Sequence, residues 1–131
     1  MKEKKTKMCC SDAFLGMGEY SKNKQYPCYN KNTMSHALHE KYKGTKFESP
    51  RGILPKTWCK EFLKIHNCAI LSTMIITHET FKKVGFFSVR SSGDEDYDYW
   101  LRCLNIESCA YIDRPLAYYD NGHGHGKNWG N

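Results

Sequence analysis

No apolar run in the 131-residue sequence approaches the roughly 20 residues that a membrane-spanning helix needs. The opening Met-Lys-Glu-Lys-Lys-Thr-Lys is charged and lacks the apolar stretch of a signal peptide. Three catalytic or cofactor signatures are also missing: the Gly-x-Ser-x-Gly elbow, the Gly-x-x-x-x-Gly-Lys-Ser/Thr phosphate loop and the Gly-x-Gly-x-x-Gly dinucleotide fingerprint. These absences argue against a membrane-spanning protein and against a serine hydrolase with the nucleophile elbow. They also argue against a phosphate-loop site and a dinucleotide-binding site.

The seven cysteines include no Cys-x-x-Cys pair, and their number is odd. Reduced thiols in a cytoplasmic protein are therefore the expectation. One alternative is a zinc site built from Cys59, His66 and Cys68, although this set lacks a fourth side-chain ligand. The competing interpretation is that these thiols are simply buried.

Charge is unevenly distributed along the chain. Residues 1–60 carry thirteen Lys and Arg against five Asp and Glu, whereas residues 61–131 carry seven against nine. The basic part predicts either an anionic partner or a solvated lysine-rich surface. Nucleic acid is the less favoured partner, because the aromatic and basic residues of 20–60 follow no recognisable module. We divide the chain into a basic, loop-rich segment (1–60), a better-patterned region (61–126) and a short tail (127–131).

Hydrophobic patterning predicts an α/β fold with a few strands of a mixed sheet covered by two or three helices. The segment Gly18–Lys56 is mostly loop, with a short helix predicted inside it. A helix beginning at Thr77 should end at Gly85, because threonine caps helix starts and glycine ends them. The predicted strands are 8–16, 68–76, 109–112 and 116–119, and the predicted helices are 33–43, 56–65, 77–85 and one that starts near 94 and ends near 105.

The most informative stretch runs from Gly93 to Arg102 and reads Gly-Asp-Glu-Asp-Tyr-Asp-Tyr-Trp-Leu-Arg. Like charges this close disfavour one another, so such a cluster is typical of a place where a cation or a reacting hydroxyl sits. A helix that starts here would hold Asp94, Glu95 and Asp96 in its first turn, where the helix dipole favours negative charge. An acidic helix cap on a solvated face is the alternative. Helical spacing predicts that Tyr97, Leu101 and Leu104 face the core and that Asp96 shares its side with Tyr99, Trp100 and Cys103.

This stretch and its surroundings resemble the C-terminal part of an inverting family 2 glycosyltransferase with the GT-A fold. The matching segments, in the family's order, are the strand 70–76, the helix 79–87, the Glu-Asp-x-Asp-x-Trp-Leu-Arg run, the segment 113–119 and the His-containing tail. The resemblance covers about residues 66–126. It implies a partial GT-A-like mixed sheet in which residues 61–126 form the acceptor side of the enzyme.

The resemblance also implies roles for individual residues. Asp96 would be the catalytic base that deprotonates the acceptor hydroxyl, with Glu95 orienting it. Trp100 would pack beneath the acceptor sugar, with Asp94 and Tyr99 as further acceptor contacts, and Arg102 would pair with Asp98 across one turn. The remaining implied site is for Mn²⁺ or Mg²⁺, at His123 or, as second choice, His125.

The expected substrates are a nucleotide-diphosphate sugar and a glycan or other hydroxyl acceptor. The family's nucleotide-binding half, with its Asp-x-Asp metal motif, has no counterpart in this sequence, and Ser11-Asp12 does not replace it. We therefore expect a fragment with little activity alone, which would need a missing N-terminal half or would self-associate through exposed apolar surface. The alternative is a non-enzymatic binding module or decayed copy whose basic face binds an anionic partner.

Overall fold

The computed structural model describes residues 5–49, 53–88 and 95–122. Its centre is a four-stranded mixed sheet in the order β2-β4-β1-β3. The strands are β1 (Met8–Gly16), β2 (Thr57–Trp58), β3 (Ile75–Ile76) and β4 (Cys109–Asp120). The central strands β1 and β4 run parallel, and the two short outer strands pair antiparallel to them. The predicted α/β class with a mixed sheet is confirmed.

Four short helices accompany the sheet in the described part of the chain: α1 (Ser35–Tyr42), α2 (Lys60–Ile65), α3 (His78–Val84) and α4 (Glu95–Cys103). A π-helical turn at Tyr29–Thr33 precedes α1, and a 3₁₀ turn at Leu71–Thr73 precedes β3. None of the helices within the described ranges is long and apolar enough to cross a bilayer.

Several predicted elements are confirmed where local signals are strong. The strand β1 has the predicted bounds. The helix α3 begins after Thr77, whose Oγ1 accepts a hydrogen bond from the Thr80 amide at 3.1 Å, and it ends at Gly85, where φ is 88°. A glycine tolerates this left-handed conformation without the steric cost that other residues bear.

Three predicted strands are wrong in extent. The apolar run 68–76 is not one buried strand, because Leu71–Thr73 forms a 3₁₀ turn and only two residues pair with β1. Thr73 fixes that turn, since its hydroxyl donates to the backbone carbonyl of Ile70 or Ser11, at 2.9 and 3.1 Å. The predicted strands 109–112 and 116–119 are instead one strand, β4, and the register of its pairing with β1 shifts between Ser11 and Phe14.

The core lies between the sheet and the helices. Trp58 stacks on Tyr111 with ring centroids 4.7 Å apart, and Tyr42 stacks on Phe62 at 4.6 Å. The first aromatic pair joins strands β2 and β4, and the second joins helices α1 and α2. The fully buried apolar members of the core include Met8, Cys10, Leu38, Trp58, Phe62, Leu63, Tyr99, Cys103 and Cys109.

Several apolar side chains are exposed to solvent. Ile75 is 65% exposed, Leu116 59% and Ile112 40%, and all three border one shallow cavity beside Thr73. The exposure of apolar side chains agrees with the expectation from the sequence, while self-association stays a prediction.

Candidate functional site

The acidic helix α4 is anchored by the aromatic residues that follow its carboxylates. Tyr99 is 1% exposed; its ring stacks on Phe87 with centroids 4.1 Å apart, and its hydroxyl donates to the Gly85 carbonyl at 2.9 Å. Trp100 is 4% exposed and meets Phe87 edge to face. The helix is therefore held against the end of α3 by its buried aromatic side.

Arg102 adds a polar connection between the same two helices. Its Nε donates to Asp98 Oδ2 at 3.1 Å, while Nη1 and Nη2 donate to the carbonyls of Val84 and Phe86 at 3.3 and 2.9 Å. The guanidinium also lies 5.1 Å from the centre of the Tyr99 ring. The predicted pairing of Asp98 with Arg102 is confirmed, so Asp98 belongs to the support of the helix.

Glu95 and Asp96 stand in the first turn of α4, and both are partly buried. An Asp96 oxygen accepts a hydrogen bond from the Tyr97 amide at 2.8 Å. Within residues 5–49, 53–88 and 95–122, no lysine, arginine or histidine forms a salt bridge with either carboxylate. The two groups can therefore accept hydrogen bonds from a ligand. The predicted site residues Asp94, His123 and His125 lie outside the described residues.

The side of α4 that faces the core differs from the side that helical spacing predicted. Tyr99, Trp100 and Cys103 are its buried residues. Of the three residues predicted to face the core, Leu104 is buried, whereas Tyr97 and Leu101 are partly buried and pack against the core. The bulky rings fill the space beside α3, so the helix is rotated toward them. Tyr99 and Trp100 accordingly have little surface with which to contact an acceptor in this structure, and the Trp100 Nε1 has no described hydrogen-bond partner.

The described residues contain no group of three His, Cys, Asp or Glu side chains placed to hold a metal. The zinc alternative is therefore wrong: Cys59 is exposed, while Cys68 is buried with its Sγ 3.8 Å from the Tyr42 hydroxyl. Burial raises the pKa of the Cys68 thiol to about 12, so this thiol is protonated at neutral pH. The expected Mn²⁺ or Mg²⁺ site depends on histidines outside the described residues.

Asp12 is completely buried on β1 and organises a loop that the sequence did not single out. Its Oδ1 accepts hydrogen bonds from the amides of Ala13 and Asn30 at 2.8 and 2.9 Å, and its Oδ2 accepts from the Lys31 amide at 3.0 Å. The carboxylate thus holds the π-helical turn against the sheet. Its oxygens are engaged by backbone N–H groups.

This turn forms one side of a cavity of about 380 Å³. We call it the Asn30 pocket and define it by the residues that line it: Asn30, Lys31, Asn32, Ile53, Leu54, Tyr111 and Asp113. The sequence gives only a weak signal for this pocket. That signal consists of Asp12 inside an apolar strand and of Asn30 and Asn32 in a loop.

No protein-family model matches this chain, and neither does any curated protein or solved structure.

Proposed function

We propose that this chain is the acceptor side of an inverting glycosyltransferase of family 2, with Asp96 as the base. The observation that carries the proposal is the pair Glu95 and Asp96: two partly buried carboxylates in the first turn of a firmly anchored helix, without a described cation beside them. Positive dipole charge at the helix start favours the ionised state that a base needs. The Asp98–Arg102 pair and the buried rings keep the helix end in place.

In the proposed reaction, the acceptor hydroxyl donates its proton to Asp96 as its oxygen attacks the anomeric carbon of the donor sugar. The bond from that carbon to the nucleoside diphosphate breaks, and the diphosphate leaves with the electron pair. Glu95 would accept a second hydrogen bond from the acceptor and orient it. The described residues do not form a divalent-ion site.

Binding of acceptor by the full chain tests the proposal. An array of immobilised oligosaccharides should show saturable binding, and Asp96→Asn should weaken it roughly ten- to hundredfold, because hydrogen bonds to a charged group contribute about 1.5–3 kcal/mol. Glu40→Gln, which neutralises an exposed carboxylate on α1, is the matched control and should bind like the wild type. Equal glycan binding by a folded Asp96→Asn variant would remove the base assignment.

Transfer itself is measured by release of nucleoside diphosphate from a panel of nucleotide sugars in the presence of Mn²⁺. Because the family's donor-side half has no counterpart here, we expect little release from this chain alone. Release that depends on Asp96 would strengthen the proposal. Release that is unchanged in Asp96→Asn would contradict it.

A second candidate function is binding of an anionic partner through the basic segment. Six exposed lysines lie between residues 22 and 46, and within the described ranges Lys46 alone among them forms a salt bridge, with Glu61 at 2.7 Å. This candidate predicts binding to a polyanion such as heparin that weakens steeply with salt and survives Asp96→Asn. Neutralising lysines 22, 24, 41 and 43 together should abolish it, whereas the glycosyltransferase proposal predicts no effect on glycan binding.

A further inference from the structure

The Asn30 pocket has the size of a small-molecule site and an unusual internal feature. Its volume of about 380 Å³ falls within the roughly 300–1,000 Å³ of typical ligand pockets. Asn30, on its wall, is 2% exposed, and its Nδ2 donates to the Cys68 carbonyl at 3.1 Å. The Oδ1 of the same amide has no described partner. A buried acceptor without a donor is costly, so this oxygen is suited to receive a hydrogen bond from a ligand.

The groups around Asn30 are held rigidly. Asp12 fixes the amides of Asn30 and Lys31 as described above, and the Asn32 Oδ1 accepts from the Cys28 amide at 2.8 Å. Tyr111 is 7% exposed and lies flat on Trp58. Burial raises the pKa of the Tyr111 hydroxyl more than the neighbouring Asn30 side chain lowers it, so the hydroxyl stays protonated at neutral pH. It lies beside Asn30 and can donate or accept a hydrogen bond. Such fixed polar groups lower the cost of ordering a site when a ligand binds.

The charges of the pocket favour a neutral ligand. Lys31 and Asp113 both line it and carry opposite signs, so a phosphate would be attracted by one and repelled by the other. Hydroxyl groups, in contrast, can accept from the lysine and donate to the aspartate. Ile53 and Leu54 supply apolar surface of the kind that the C–H groups of a sugar ring contact.

From this combination we propose that the Asn30 pocket is a carbohydrate-binding subsite that holds one uncharged sugar ring. The choice of a sugar over other neutral polar molecules rests on the proposed function, for which this pocket would hold a ring of the acceptor away from the reacting hydroxyl. Asn30, Tyr111 and Asp113 are binding residues here and take no part in the transfer step.

The test is titration of the ¹⁵N-labelled full chain with neutral methyl glycosides, followed by the amide resonances of Asn30, Lys31 and Tyr111. A ligand this small should bind with a Kd on the order of millimolar. Tyr111→Phe keeps the ring stack and should weaken binding roughly two- to tenfold, since it removes one neutral hydrogen bond. Asp113→Asn, at an exposed position, should weaken it roughly tenfold or more. Tyr20→Phe and Glu40→Gln are the matched controls.

The outcomes separate this inference from the proposed function. Saturable shifts that both pocket variants weaken, and that the control variants leave unchanged, support the pocket whatever the oligosaccharide array shows. Absence of saturation with every glycoside, or unchanged affinity in both folded pocket variants, would overturn the pocket and leave the Asp96 assignment to its own test. Displacement of the sugar by inorganic phosphate, lost in Lys31→Met, would also overturn it, because the pocket would then be an anion site.

Discussion

Asp12 is the residue whose replacement tests the structural argument most directly. Its carboxylate is fully buried and receives three backbone hydrogen bonds, from Ala13, Asn30 and Lys31. Asparagine has one acceptor oxygen, so it can keep the two bonds at the Oδ1 position but must place an NH₂ group opposite the Lys31 amide. That amide then loses its acceptor inside the protein.

The magnitude follows from these bonds. A hydrogen bond to a charged group contributes about 1.5–3 kcal/mol, and relief from burying the carboxylate offsets part of its loss. We expect Asp12→Asn to lower the free energy of unfolding by about 2 kcal/mol and Asp12→Ala, which removes all three bonds, by about 4 kcal/mol.

Urea unfolding followed by circular dichroism measures both changes. With a denaturant slope of about 1–3 kcal/mol per molar, the asparagine variant should shift the midpoint by about 1 M. Glu40→Gln should leave it in place. A midpoint for Asp12→Asn indistinguishable from that of the wild type would refute the assignment of Asp12 as the group that holds the π-helical turn.

Two further predictions concern the support of α4 and the buried thiols. Arg102→Met should lower the free energy of unfolding by about 1–2 kcal/mol, because it removes the bonds to Asp98 and to the end of α3. Lys83→Met, which breaks only an exposed pair with Glu79, should change it by less than about 0.5 kcal/mol, and thermal unfolding that ranks the two variants the other way would contradict the assignment. Burial raises the pKa of Cys103 from 9.0 to about 11, so its contribution to stability is complete below pH 9 and is lost as the pH rises toward 11. Urea midpoints should therefore fall from pH 8 to pH 10, less steeply in Cys103→Ala, and a flat profile would count against a buried thiol.

Sequence patterns predicted best where the signal was local. The cap at Thr77, the end of α3 at Gly85 and the Asp98–Arg102 pair all lie within a few residues of their partners, so helical geometry alone determines them. The bounds of β1 followed from a compact apolar run that stops at Gly16.

The failures involve contacts between distant segments. Thr73 bonds to Ser11, 62 positions away, and this contact helps to fold the apolar run into a 3₁₀ turn where its composition indicated a strand. Asn30 is buried because Asp12, 18 positions earlier, binds its amide. Spacing along the chain carries no information about either contact, so the Asn30 pocket could not be predicted. The carboxylates of α4 could be located on a helix start, but the rotation of the helix depended on packing against Phe87.

The parallel pairing of β1 with β4 also governs how the molecule can fold. The Cys10 and Cys109 side chains that meet between these strands are 99 positions apart. Closing a loop of that length costs about 4 kcal/mol in chain entropy before the strands gain their hydrogen bonds. Such non-local pairing favours folding in milliseconds to seconds rather than microseconds. During synthesis, about 100 residues must follow the start of β1 before the β4 residues that pair with it have been made. The apolar residues of β1 stay unpaired with β4 for that interval.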